Sequence, residues 1–409
     1  MAVRRVVFHG GKLASGTFAD VAVNPSTGLI EVVGSVTEDP SDERIDCRGS
    51  IVLTSAVDSH AHLDKALSSR DVTAMPLTLV DAVNDWKGIW PKLTHADMVD
   101  RATEAVEAMV ANGTTIIRSH VDVGENLGLK AIHAIVEVRE RMKSRGLADV
   151  QVVALAAPPM GDLLGSETRR LLEASVDAGI DVIGGSPDLD EDPLGATIAC
   201  VKVAQRSGLP LDLHSDQSID PNMFWVSHLP RLVHEYGLTN VVASHCVSLS
   251  MQPLNVQHRV AREFAEAGIA VTTMPLTSLF YFGWDQPVAP PRGLTAIRVL
   301  REEGVVVAAG ADNVQDVFFP FGRFDPMETA SVLAMAAHLS PAEAWDMSTN
   351  QGRLALGLAP TSVAVGQPAD LLVIKGNTLG EAMALASADR VVVRHGRVVA
   401  RTTTENQRW

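Results

Sequence analysis

Eight short apolar runs punctuate the middle of the chain: 51–57, 115–117, 151–155, 180–183, 211–213, 241–243, 269–272 and 305–308. They are too short for helices, rich in Val and Ile, and continuous rather than alternating, which is the pattern of strands buried on both faces. Between them, 96–111, 131–143, 167–178, 257–267 and 294–303 carry apolar residues at helical spacing. Several of these stretches end at a glycine that leads into the next run: Gly113, Gly179, Gly268 and Gly304. Buried strands alternating with helices predict an α/β fold, a distorted (β/α)8 TIM barrel.

The two ends have another texture. Val6-Val7-Phe8, 18–23 and 30–34 read as short strands, with turns at His9-Gly10-Gly11-Lys12 and Asn24-Pro25. Residues 370–374, 390–393 and 397–399 read the same way. Neither end can bury a good core alone. The expectation is a small β-sandwich domain built from 1–54 and 361–409, with the barrel at 55–360.

Composition narrows the class. A 409-residue chain with 46% hydrophobic residues has ample material for a large core. Its net charge of -15, with no basic run, argues against nucleic acid or an anionic membrane surface as partner. No apolar run approaches the ~18 residues of a membrane helix, and the first eight residues hold two arginines but no apolar leader core. Cys47, Cys200 and Cys246 are far apart and spell neither a zinc knuckle nor a disulfide framework. A cytoplasmic protein with a small-molecule partner is expected, and a homo-oligomer stays open.

In a barrel, chemistry sits at the C-terminal ends of the strands. The first run leads into His60-Ala61-His62, whose period of two puts both imidazoles on one side. The second ends in Arg118-Ser119-His120-Val121-Asp122, the fifth in His214-Ser215-Asp216-Gln217, the sixth in Ser244-His245-Cys246 and the eighth in Ala311-Asp312-Asn313. His60, His62, His214, His245 and Asp312 place five metal-competent or proton-transferring groups on one rim, more than scattered polar residues explain. Arg118, His120 and Asp122 read equally as a structural ion-pair network or a pocket wall, with Arg118 pairing Asp122 in the structural case. Aromatic residues crowd two later loops, Phe280 to Trp284 and Phe318 to Phe321. They fit either a cover for a flat ring or ordinary loop packing.

Taken in this order, the motifs resemble the amidohydrolase superfamily, and in detail its cytosine deaminase-like branch, which includes N-isopropylammelide isopropylaminohydrolase. The resemblance is carried by His60-Ala61-His62-Leu63-Asp64-Lys65, Arg118-Ser119-His120-Val121-Asp122, His214-Ser215-Asp216, Pro291-Arg292-Gly293, Asp312 with Phe319-Pro320-Phe321-Gly322, and Val365-Gly366-Gln367-Pro368-Ala369-Asp370-Leu371. It implies one divalent ion, zinc or iron, on His60, His62, His214 and Asp312, with His245 a proton shuttle beside it. Two-metal members use a lysine at the end of strand four, where this chain has Gly184-Gly185-Ser186. Gln217 stands where the branch has a proton-carrying glutamate, and Ala156-Ala157-Pro158-Pro159-Met160 where it has a substrate-reading glutamine. Cytosine itself is therefore not the expected substrate.

The resulting expectation is a metal-dependent hydrolase of a non-peptide C–N bond in a small cyclic or heteroaromatic nitrogen compound, a deaminase or aminohydrolase. His245, Asp312 and Gln217 are the expected catalytic residues. Lys65, Arg118, His120, Gln217, Phe282 and Phe318 are the expected substrate contacts. Hydrolysis of an amide or lactam on the same centre is the alternative, and a catalytically silent binding protein the remaining one.

Overall fold

The computed structural model describes residues 4–37, 39–71, 78–161, 164–405 and 407. Residues 1–3 and 408–409, the tips of the two expected β segments, lie outside the described residues. The first part of the chain forms β1 (Val6–Leu13), β2 (Phe18–Asn24), β3 (Leu29–Gly34), β4 (Glu43–Asp46) and β5 (Ser50–Thr54). The middle forms β6 (Ala56–Ala61), β7 (Thr114–Val123), β8 (Asp149–Ala156), β9 (Val182–Gly185), β10 (Leu211–Ser215), β11 (Val241–His245), β12 (Ile269–Thr273) and β13 (Val307–Ala309). The end supplies β14 (Leu371–Lys375), β15 (Arg390–Arg394) and β16 (Arg397–Thr402).

Strands β6 to β13 lie side by side in chain order and pair in parallel, giving the expected barrel. The circle closes at its rim through backbone: Asp312 N–H donates to the His60 carbonyl at 2.8 Å, and His62 N–H to the Asp312 carbonyl at 3.0 Å. Gly310 permits that approach, since a Cβ there would sit 2.5 Å from the His60 carbonyl oxygen. Helices cover the outside. One of them, His95–Ala111, starts where the Thr94 side chain accepts the Asp97 N–H. It buries Met98, Ala102, Ala105 and Met109 at the spacing of one face.

The other strands form one mixed sheet from both chain ends, in the order β16-β15-β14-β5-β1-β2-β3, with β4 also on β1. Alternate residues serve two cores. Ile51, Leu53, Leu372, Ile374 and Val392 pack toward the barrel, while Val52, Leu371, Val373, Val391 and Val393 join Val6, Phe8, Val21 and Ile45 in a separate core.

Three local expectations change. The apolar run 51–57 is two strands, not one. The chain passes between sheets at Ser55, whose N–H donates to Asp370 while the next, Ala56 N–H, donates to Gly113. His9-Gly10-Gly11-Lys12 is not a turn but continues β1 through a register shift. There Gly11 lets β5 come close, since a Cβ would meet Val52 Cγ2 at 2.6 Å. Strand β4 was not expected, because Glu43, Arg44 and Asp46 hide its pattern.

Candidate metal centre and its pocket

His60, His62, His214 and Asp312 come from β6 and its end, β10 and the turn after β13, and they converge. His62 Nε2 lies 3.2 Å from Asp312 Oδ1, and His60 Nε2 lies 3.5 Å from the same oxygen. His214 Nε2 is 3.3 Å from His62 Nε2. Ligand atoms of His60, His62 and Asp312 lie within 4.8 Å of one another, as do those of His60, His214 and His245. His245 stands beside this group, its ring centre 4.9 Å from that of His214. Asp312 (φ 63°) and His245 (φ 69°) both adopt the left-handed backbone that non-glycine residues rarely take, a distortion concentrated at these strand ends.

The outer nitrogens of His60 and His62 are held from behind, whereas His214 Nδ1 is buried without a partner. Ser244 Oγ donates to Asp212 Oδ1 at 2.8 Å and lies 3.0 Å from His60 Nδ1, so it accepts the proton of that nitrogen. His62 Nδ1 donates to the His120 carbonyl at 3.1 Å. Both arrangements turn the Nε2 lone pairs inward. Burial, reinforced by neighbouring positive groups, keeps His60, His62 and His214 well below the ordinary imidazole range, so all three are neutral at pH 7. Burial pushes His245 down to about 4 and raises Asp312 above the usual carboxylate value. His60 Nε2, both His245 nitrogens and Asp312 Oδ2 are buried without a hydrogen-bond partner.

Beside the cluster opens a cleft with about 610 Å³ of non-atom space, its open mouth included. Lys65, Gln217 and Phe318 line it together with His62, His214 and Asp312. Lys65 is buried and bridges Asp122 at 2.7 Å and Asp64 at 3.4 Å, with the Trp86 and Phe318 rings 5.5 and 5.9 Å away. Burial works against its charge, but the two carboxylates raise its pKa above the ordinary lysine value. The Gln217 backbone N–H donates to Asp188 Oδ2 at 2.8 Å, while its carboxamide has no hydrogen bond among the described residues.

Three expected substrate contacts are placed away from the cleft. Arg118 lies one layer lower in the barrel, where it bonds Asp212 Oδ2 at 2.9 Å and Gln151 Oε1 at 2.8 and 3.0 Å. Its carboxylate partner is thus Asp212, and Asp122 pairs with Lys65 instead. His120 stacks on His60, with ring centres 3.8 Å apart. Phe282 packs on Gly293 beside a separate outer groove with Phe280, Trp284 and Phe321.

The sequence reading missed Asp212 and Ser244, although period two already put Asp212 on the side of His214. It also missed α1 (Leu79–Ile89), which brings Trp86 and Lys87 to the cleft and carries no motif.

The sequence profile of the amidohydrolase family matches residues 134–400, more than half of the chain. The chain belongs to the amidohydrolase family. It is 28% identical over 420 residues to the pterin deaminase of Rhizobium rhizogenes, covering 98% of this chain and 92% of that one. It is 27% identical over 388 residues to the N-isopropylammelide isopropyl amidohydrolase of Pseudomonas sp. (strain ADP), covering 91% of each. In three dimensions it is similar to the 5-methylcytosine deaminase of Klebsiella pneumoniae liganded with 5-fluorocytosine, with a TM-score of 0.88, 24% identity and 99% of both chains covered. The amidohydrolase relatives thus act on C–N bonds other than peptide bonds, and the family's use of a divalent metal meets a His/Asp cluster able to hold one.

Proposed function

We propose that the protein is a mononuclear deaminase or aminohydrolase that cleaves an exocyclic C–N bond of a small nitrogen heterocycle. The observation carrying this reading is the convergence of His60 Nε2, His62 Nε2, His214 Nε2 and Asp312 Oδ1 at the head of a cleft. The residues fit a divalent cation. Two imidazoles have their Nδ1 atoms already engaged, and buried His60 Nε2 and Asp312 Oδ2 have nothing to bond. Three imidazoles and one carboxylate suit zinc or iron. A second ion would lack a bridging lysine at the end of β9, where Gly184-Gly185-Ser186 stand and a side chain on either glycine would collide with Val153 or Cys200.

Bound there, the cation would polarise a water and lower its pKa toward neutrality. Asp312 Oδ2 is the oxygen free to take a proton, and His245, with both nitrogens unbonded, is next on the route to the departing nitrogen. Gln217 orients the substrate by hydrogen bonding but carries no proton. Lys65, its charge already matched by Asp122 and Asp64, offers a polar N–H edge, and Phe318 a flat one. An amide or lactam hydrolase is the second reading, favoured by Gln217 alone, since an amide needs only its leaving nitrogen protonated. Residues 55–360 form the catalytic domain in this account, 1–54 and 361–409 the small one. No helix among the described residues is long and apolar enough to cross a membrane, and the cytoplasm is the compartment we assign.

The test is a screen for ammonia or amine release from aminopyrimidines, aminotriazines and pterins, beside carboxylate formation from cyclic amides. Release from at least one heterocycle is expected, lost on chelation and restored by zinc or iron. Asp312→Ala should lower that rate by roughly 10²–10⁴-fold or more, the range for a positioned proton carrier. Carboxylate formation alone would select the second reading, and full activity of Asp312→Ala would refute the site.

A further inference from the structure

One wall of the cleft is a single helix face. Leu79, Val83, Trp86 and Lys87 of α1, with Trp90 just beyond it, line the cavity at helical spacing. Two lysines reach this cavity, and they differ. The Lys65 charge is spent on Asp122 and Asp64. Lys87 Nζ donates only to the Pro158 carbonyl, at 3.2 Å, and lies 6.0 Å from the Trp90 ring centre. Among the described residues no carboxylate pairs with it. An ammonium has three donors, so two stay open. Burial lowers the Lys87 pKa from its ordinary value, and the more distant Asp122 charge offsets this only in part.

The carboxylates of the cleft have nearer partners: Asp122 is bonded by Lys65, and Asp312 belongs to the imidazole cluster. Of the two cleft lysines, Lys87 is therefore the one with no carboxylate within hydrogen-bond reach among the described residues. The remaining surface of the α1 wall is apolar and aromatic. Such a wall fits a flat ring bearing one negative charge. A single ammonium matches a carboxylate, whereas a phosphate ester favours the fork of an arginine or several cations.

We propose that Lys87 is an anion-binding position and that the substrate is a nitrogen heterocycle carrying a ring carboxylate, seated against Lys87 while its C–N bond faces Asp312. This deepens the hydrolase reading and rests on it for the ring. The acid would replace a lost counter-ion, which makes it a determinant of specificity rather than of the chemical step.

Two matched pairs test it: pterin with pterin-6-carboxylate, and 2-aminopyrimidine with 2-aminopyrimidine-5-carboxylate. Each is titrated into the wild type, Lys87→Met and Lys87→Arg, following tryptophan fluorescence, with ammonia release recorded alongside. The wild type should bind the acid of at least one pair roughly tenfold tighter than its neutral partner, the size of one charge-assisted hydrogen bond. Lys87→Met should erase that preference and Lys87→Arg retain most of it. Equal binding within both pairs, binding to neither, or a preference that survives Lys87→Met overturns the proposal. Ammonia release without acid preference would overturn it while leaving the hydrolase reading standing. Acid preference without any ammonia release would do the reverse.

Discussion

Ser244 joins a buried chain that runs from Arg118 through Asp212 to His60 Nδ1. Burial disfavours the Asp212 charge, but His120, Arg118 and Ser244 together hold its carboxyl below the ordinary value. The chain thus fixes which His60 nitrogen carries the proton. Ser244→Ala should weaken zinc binding by roughly 10–100-fold, as loss of such supporting bonds does, read by competition with a chelator; unchanged affinity would show that packing alone orients the ring. A second prediction concerns Asp188, whose carboxyl burial raises to about 6 and whose Oδ1 is unpaired. Its folded pKa lies above the unfolded one, so the folded state holds the proton more tightly. The stability this contributes is full below about pH 4 and lost as pH rises through about 6. Asp188→Asn should therefore stabilise the protein by roughly 1–3 kcal/mol at pH 8 and by little at pH 4, measured by urea unfolding at both pH values. The imidazoles and Asp312 were legible as residues, because chelating spacing and strand ends announce them. Arg118, His120 and Phe282 were not, since sequence shows which side of a strand a residue takes but not which layer of the barrel it reaches.

The barrel strands were legible for a different reason. A strand buried on both faces must be apolar throughout, so β7, β8 and β10 to β12 coincide with runs visible in the sequence. Where a polar pattern covers a strand, as in β4, or one run serves two sheets, as at Ser55, the signal fails. Helix α1 was missed because it lies between the first strand and the first regular helix, where no motif marks it. The closure of β6 on β13 is the element on which the centre depends most. It depends on Gly310, because a side chain there collides with His60 backbone rather than with a flexible neighbour. Gly310→Ala should cost roughly 1–3 kcal/mol or more, the range for forced overpacking, and should lower bound metal as His60 and Asp312 separate. Urea unfolding and elemental analysis of the same sample check both effects; wild-type values in each would show that the rim tolerates the shift.

Both chain ends meet in one sheet, and the sequence foretold this from their shared texture and small size. What it could not foretell is how that sheet holds the barrel. Arg390 forks onto Asp325 at 2.6 and 2.8 Å and Arg394 reaches Asp149 at 2.6 Å, pairs far apart in the chain. The mixed sheet thus grips the barrel beside β8 and near the turn after β13, while the His/Asp rim stays open to the cleft. The whole account turns on one cation held by His60, His62, His214 and Asp312. Elemental analysis of the purified chain, loaded with zinc or iron and freed of loose metal, measures this directly. It should give about one ion per chain in the wild type. A value near two would contradict the single-ion centre, and a value near zero would contradict the centre itself.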